Sequence, residues 1–311
     1  MTRQPHPPTG PTRPTGPVRV RVPGKINLYL SVGHLRTDGY HDLLTVFHAV
    51  DLVDELTISS APRHSVRTEG ATGVPVGGKN LAGAAARLLQ KRTNTGGPVA
   101  IEVSKQIPVS GGMAGGSADA AGALVGCAAL WGLELKRDQL SEIGAELGSD
   151  VPFALAGGTA VGTGRGERLS PVMTRTRLHW VLGISASGLS TPAVFAELDR
   201  LRSAGSPPRV PDVHDMLAAL GSGKPAEVAG ALGNDLQAAA ISLQPDLRRT
   251  LRAGLAAGAL GGVISGSGPT VALLCANSTS AADVAAELAG SGTCRAVRVA
   301  AGPAPGAKVI S

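Results

Sequence analysis

Pro108-Val109-Ser110-Gly111-Gly112-Met113-Ala114-Gly115-Gly116-Ser117-Ala118-Asp119-Ala120-Ala121 is the stretch on which the rest of the chain turns. It joins a run that alternates like a strand, residues 99–104, to an Ala-rich run with helical spacing, residues 117–131. Four glycines in the six residues from Gly111 to Gly116 let the backbone take positive φ and turn successive N–H groups toward one point. At a helix N-terminus such a nest attracts phosphate, because unpaired N–H groups and the helix dipole both favour an anion there. Ser117, in the first turn, can cap the helix or ligate a phosphate-bound Mg2+. A flexible glycine hinge is the competing explanation for a glycine cluster met in isolation; the helix that follows at once favours a phosphate loop. No Gly-Lys-Ser or Gly-Lys-Thr closes the loop, so it is not a Walker A motif, and its spacing does not make a dinucleotide fingerprint.

Upstream, Val18-Arg-Val-Arg-Val22 alternates with period two and meets Pro23-Gly24, a turn signal; a second strand follows over 26–32. Arg36-Thr37-Asp38-Gly39-Tyr40 is turn chemistry, and 43–52 and 55–60 read as two more strands. Residues 80–92 have helical spacing, and 137–147 predicts another helix, ended by Gly148 as a left-handed cap. Asp150 then stands where that helix yields to a strand. The polar, basic run 165–177 sets a lobe boundary near residue 175. Beyond it come a strand at 180–185, three or four Ala-rich helices over 192–257, strands at 262–265, 270–275 and 295–299, and a helix at 280–289. Strands and helices mixed without regular alternation point to two α+β lobes rather than a doubly wound sheet. A length of 311 residues suits two lobes sharing a cleft.

Composition narrows the function. Only 2% of the chain is aromatic, so aliphatic residues build the core and each ring is worth locating. The formal charge is +6, yet the Lys and Arg are scattered and no basic stripe interleaves with aromatics, which disfavours nucleic acid and fits a phosphate-bearing small molecule. Cys127, Cys275 and Cys294 are far apart in apolar runs, as expected of buried thiols in a reducing, cytoplasmic compartment. His34, His41 and His48 recur every seven residues without Cys or carboxylate partners at ligand spacing, so no metal cage is predicted. No apolar run is long enough to span a membrane. Residues 1–17, with six prolines, predict a disordered extension.

Three separated segments together resemble the GHMP kinases: Pro23-Gly24-Lys25-Ile26-Asn27-Leu28, the loop 108–121, and Ile264-Ser265-Gly266-Ser267-Gly268-Pro269-Thr270. The resemblance covers about residues 18–300 and implies an α+β, two-lobed GHMP kinase fold, with a ribosomal-protein-S5-domain-2-like N-terminal lobe (18–175, binding ATP) and a ferredoxin-like C-terminal lobe (176–311). Asp38-Gly39-Tyr40-His41, Gly148-Ser149-Asp150-Val151-Pro152-Phe153 and Asn234-Asp235-Leu236 are similar to the members that use ATP to phosphorylate a cytidine-diphosphate-linked methylerythritol for isoprenoid precursors. Val109-Ser110 and Met113-Ala114 stand where the family's loop commonly has further small or glycine residues, and the proline-rich start has no counterpart in the family pattern.

That resemblance implies roles. Asp150 would receive the acceptor's proton or only orient it, and Lys25 would hold Asp150 ionised and neutralise charge at the attacking oxygen. Pro108 to Ala118 would cradle ATP, and Ser117 would touch Mg2+. Asn27, Tyr40, His41 and Thr191 would meet the acceptor, Tyr40 by stacking on the base; without the family, Tyr40 and His41 read as turn and surface residues, Lys25 as a solvated turn lysine, Asp150 as a turn aspartate and Thr191 as a helix cap. A monomer or weak homodimer without nucleic-acid or membrane partners is expected. Another GHMP kinase, acting on homoserine, mevalonate or a sugar, or a catalytically silent ATP-binding regulator, remains the alternative.

Overall fold

The computed structural model describes residues 16–71, 73–74, 77–205 and 210–311. The extension predicted over 1–17 lies outside them except for Gly16 and Pro17. In chain order the elements are β1 (Val18–Leu35), β2 (His41–Ser60), β3 (Ser65–Glu69), α1 (Leu81–Thr93), β4 (Val99–Ser104), α2 (Gly115–Trp131), α3 (Arg137–Ala145), α4 (Val151–Ala156), β5 (Thr159–Thr163) and β6 (Arg168–Pro171). There follow β7 (Leu178–Ile184), α5 (Thr191–Ala204), α6 (Val213–Ser222), α7 (Pro225–Gly230), β8 (Gly233–Asn234), α8 (Leu236–Leu243), α9 (Asp246–Ala256), β9 (Gly261–Ile264), β10 (Val271–Cys275), α10 (Ser278–Gly290), β11 (Ala296–Gly302) and β12 (Lys308–Val309).

Two sheets divide the chain between β6 and β7. The first runs β12-β1-β2-β4-β3, with β5 and β6 continuing from β2 and β8 lying parallel to β1. The second runs β11-β7-β10-β9, antiparallel throughout, with β9 and β10 as a hairpin and α10 crossing to β11. That order is the ferredoxin-like one. β8 and β12 come from the second half of the chain yet pair with β1, so the halves are stitched together. One apolar core reflects this, joining Val20, Leu56 and Leu124 to Trp180 and Met216.

Two strand breaks expected from sequence do not occur. Pro23-Gly24 is a bulge inside one strand, where pairing slips from Pro23 opposite Val53 to Gly24 opposite Val50. Lys25 N–H turns there to the carbonyl of Met113 at 3.3 Å, so the bulge spends a strand N–H on the glycine loop. The second predicted pair, 43–52 and 55–60, is likewise the single strand β2. Residues from Val22 to Leu30 are buried on both faces, between helices and the second lobe, which erases the alternation a one-sided strand would show.

The segment after α3 also differs from expectation. α3 stops at Ala145 with Glu146 as a right-handed cap, and Gly148 is not at positive φ. Asp150 occupies the N-cap position of the short helix α4 rather than the start of a strand. Pro152 suits that first turn, where its missing N–H costs nothing. Among the described residues, five helices, not three or four, lie between Thr191 and Ala256. Cys127 and Cys275 are buried, but Cys294 is partly exposed. Among the described residues no helix is long and apolar enough to cross a membrane.

Candidate active site

The bulge in β1 and the start of α4 meet at the floor of a cleft of about 1180 Å3 between the two sheets. Lys25 Nζ donates to Asn27 Oδ1 at 2.6 Å, lies 3.9 Å from Asp150 Oδ2 and sits 5.4 Å from the Phe47 ring centroid. Burial pushes the Lys25 pKa below its ordinary value, and Asp150 pulls it partly back. Asn27 is held in turn: its Nδ2 donates to Thr45 Oγ1 at 2.8 Å, and that hydroxyl donates to the Tyr29 carbonyl at 2.7 Å.

The glycine loop forms one wall, with a distribution of strain that the sequence did not reveal. Positive φ falls on Ser110 (52°), Gly112 (75°) and Ala114 (57°), so two of the three left-handed residues are not glycine, and Gly111, Gly115 and Gly116 are not left-handed. Those three glycines supply small size or a helical turn. A Cβ on Gly111 would lie 2.8 Å from Pro108 Cβ, and one on Gly115 would lie 3.1 Å from Lys105 Nζ. Gly115 to Ser117 open α2, two residues earlier than the helix read from sequence.

The second small-residue turn, 265–268, braces the first. Ser265 Oγ donates to the Gly112 carbonyl at 3.0 Å, and Thr270 N–H donates to the Gly111 carbonyl at 3.2 Å. Asn234, delivered by β8, fixes this turn by donating to the carbonyls of Ile264 at 2.8 Å and Gly266 at 2.7 Å. The site is thus assembled from both lobes.

The other predicted residues divide between cleft and interior. Tyr40 is 55% exposed in the β1–β2 turn, with the Arg165 guanidinium 5.2 Å from its ring centroid. His41 is buried, its Nε2 3.1 Å from Asp199 Oδ1 and its ring 5.1 Å from that of Phe195. Thr191 opens α5, and its hydroxyl shares a 2.9 Å hydrogen bond with Ser267 rather than capping the helix. Gly111 to Gly116 border the cleft apart from Met113, whose side chain is fully buried; Ala118 is buried too. Pro108 and Val109 face a separate groove beside Arg295 and Arg298, which Ser110 and Gly111 also border. Ser117 is part-exposed in the first turn of α2.

Sequence reading missed Arg165, Phe195 and Asp199, all of which line the cleft. Thr191, Phe195 and Asp199 recur every four residues, the spacing that puts them on one face of α5, and that was the available signal. Arg165 gave none, sitting in a turn whose side chain only the fold brings over Tyr40.

Known proteins are similar to this chain in sequence and fold. The family profile for the GHMP kinases N terminal domain matches residues 80–158, and that for the GHMP kinases C terminal matches 216–293. The 4-diphosphocytidyl-2-C-methyl-D-erythritol kinase of Nocardia farcinica is 60% identical over 94% of this chain and 96% of its own length. The kinase of the same name from Mycolicibacterium smegmatis is 58% identical over 94% and 92%. A crystal structure of 4-(cytidine 5'-diphospho)-2C-methyl-D-erythritol kinase superposes with a TM-score of 0.74 at 32% identity, covering 91% of this chain and 98% of that one. Homoserine kinase from Cytophaga hutchinsonii, at 18% identity, shares the fold with a TM-score of 0.75 over 95% and 98%.

Proposed function

The chain belongs to the GHMP kinases, and from that premise we propose that it moves the γ-phosphoryl group of ATP to the 2-hydroxyl of 4-diphosphocytidyl-2-C-methyl-D-erythritol, giving the 2-phosphate and ADP. The observation that carries this reading is the meeting of Lys25, Asp150 and two small-residue turns at the floor of one cleft.

The loop from Pro108 to Ala118 receives the phosphates of ATP through backbone N–H groups at the start of α2. Ser117 fits a Mg2+ held chiefly by nucleotide oxygens. Its hydroxyl makes no hydrogen bond within the described residues, which would leave that oxygen free to join the nucleotide oxygens and waters such an ion keeps. When bound, that ion neutralises charge on the phosphates.

The acceptor enters from the side of Tyr40 and His41. Tyr40 offers an exposed ring face for a pyrimidine, Phe195 backs His41, and Asp199 fixes the imidazole through Nε2. Asn27 and Thr191 border the path to the reacting hydroxyl. That oxygen forms the new O–P bond as the bond from Pγ to the β–γ bridging oxygen breaks, and ADP carries away the electron pair. Asp150 orients the hydroxyl and takes up its proton, while Lys25 stabilises negative charge between them. Cysteines in apolar surroundings suit work in the reducing cytoplasm.

The test is ADP release with Mg-ATP and, in turn, the cytidine-diphosphate methylerythritol, homoserine, mevalonate and galactose. Turnover with the first alone is expected. Turnover with another would keep the kinase and discard the roles of Tyr40 and His41, and silence with all four would point to a regulator that binds ATP.

A further inference from the structure

Beneath the glycine loop, three buried ionisable side chains meet: Lys105 just past β4, Asp54 in β2 and Asp119 in α2. Lys105 Nζ donates to Asp54 Oδ2 at 2.6 Å, to Asp119 Oδ2 at 2.9 Å and to the Gly115 carbonyl at 3.2 Å, which uses all three of its protons. Asp54 Oδ1 accepts from Gln106 N–H at 2.6 Å and Ile107 N–H at 2.9 Å. Asp54 and Asp119 do not border the acceptor cleft, and the proposed reaction uses none of the three.

A buried ionic group is a weak source of stability, since taking charges out of water costs about as much as their attraction returns, and apolar side chains of similar volume often do as well. What apolar side chains cannot supply is direction. Here the directions are particular: Asp54 holds the two amides where the chain leaves the sheet, and Lys105 holds the carbonyl where it joins α2. Between those points lie Ser110 and Ala114, held at positive φ, which persists only where the surroundings over-determine it.

We propose that Lys105 and Asp54 are the positioning residues of the glycine loop, tying its two ends to one buried ion pair so that its N–H groups converge before a nucleotide arrives. The proposal rests on the reading of that loop as the phosphate site. Asp119 satisfies the third proton of Lys105 and lies outside the tie itself.

The experiment compares ADP affinity by calorimetry, and the separate KM values for ATP and acceptor, in wild type, Lys105→Met and Asp54→Asn. ADP binding should weaken by on the order of 10- to 100-fold, the loss of a charged hydrogen bond, with the ATP KM rising alongside and the acceptor KM unchanged. Unchanged ADP binding in folded variants, or an equal rise in both KM values, would overturn the proposal. Wild type that binds no ADP would instead overturn the reading of the loop. Hydrogen exchange on nucleotide-free wild type decides the matter should the variants not fold. Protected amides at Gln106 and Ile107, the two that Asp54 holds, are expected, and exchange there as fast as in an unstructured peptide would overturn the tie.

Discussion

Lys25 Nζ stands 3.9 Å from Asp150 Oδ2 but gives its short hydrogen bond, 2.6 Å, to Asn27. The carboxylate is therefore within electrostatic reach of the ammonium without being locked to it, which leaves it free to turn toward an acceptor hydroxyl. Asp150→Asn should cut turnover by ~10²–10⁴-fold, the contribution of a positioned acid–base group, with ADP affinity nearly unchanged. Undiminished turnover would remove Asp150 from the reaction.

The same substitution has a consequence for pH. Burial lowers the Lys25 pKa and Asp150 opposes that, so the variant's lysine should lose its proton at a lower pH than the wild type's. Residual activity that needs the ammonium should accordingly fail earlier as pH rises. Matching alkaline limbs in the two pH–rate profiles would show that the charges do not act together.

Tyr40→Ala should raise the acceptor KM and leave that for ATP alone, the loss being ~1–3 kcal/mol of base stacking. Arg165, anchored by its backbone N–H to Glu167 Oε2 with its guanidinium over the same ring, makes Arg165→Gln the companion variant. An acceptor KM unmoved by Tyr40→Ala would place base recognition on Phe195 and His41.

Gly112 and Gly116 predict opposite outcomes four residues apart. A Cβ on Gly112 would run into the Ser265 carbonyl oxygen, on a backbone at φ 75°. Gly112→Ala should cost ~1–3 kcal/mol and part the two turns, which urea denaturation would measure. Gly116 is helical and exposed, and its Cβ would meet only Leu81 at 3.4 Å. Gly116→Ala should leave stability level or raise it by up to ~1 kcal/mol. Equal losses at both positions would mean that crowding against Ser265 is not what makes Gly112 necessary.

Much of this was legible in the chain. The extent of β4, the course of α1 and the β9–β10 turn follow from local pattern, because each is set by residues near in sequence. The continuity of β1 through Pro23 was not, since it depends on the other lobe covering the strand and on Met113 taking the Lys25 N–H. The helical start at Asp150 was hidden because a six-residue helix has too few turns to show a period. The tie under the loop was hidden for a further reason: Asp54, Lys105 and Asp119 come from three elements, and each alone looks like a surface charge.

His48 supplies the acid limit of the fold. Its ring is fully buried beside Trp180, Nδ1 lies 2.8 Å from Thr159 Oγ1, and Nε2 has no hydrogen-bond partner in the described structure. Burial drives its pKa from 6.5 down to about 3. Between those values the unfolded chain binds a proton that the folded chain refuses, so stability is complete above the ordinary histidine pKa and is lost as pH falls through the window. The slope is about 1.4 kcal/mol per pH unit while the difference lasts. Urea denaturation at pH 7 and at pH 5 should show wild type losing about 2 kcal/mol more than His48→Gln, which keeps a polar partner for Thr159 but has no proton to take up. Parallel losses in the two proteins would mean that His48 accepts its proton inside the fold, and the acid limit would then have to come from the carboxylates.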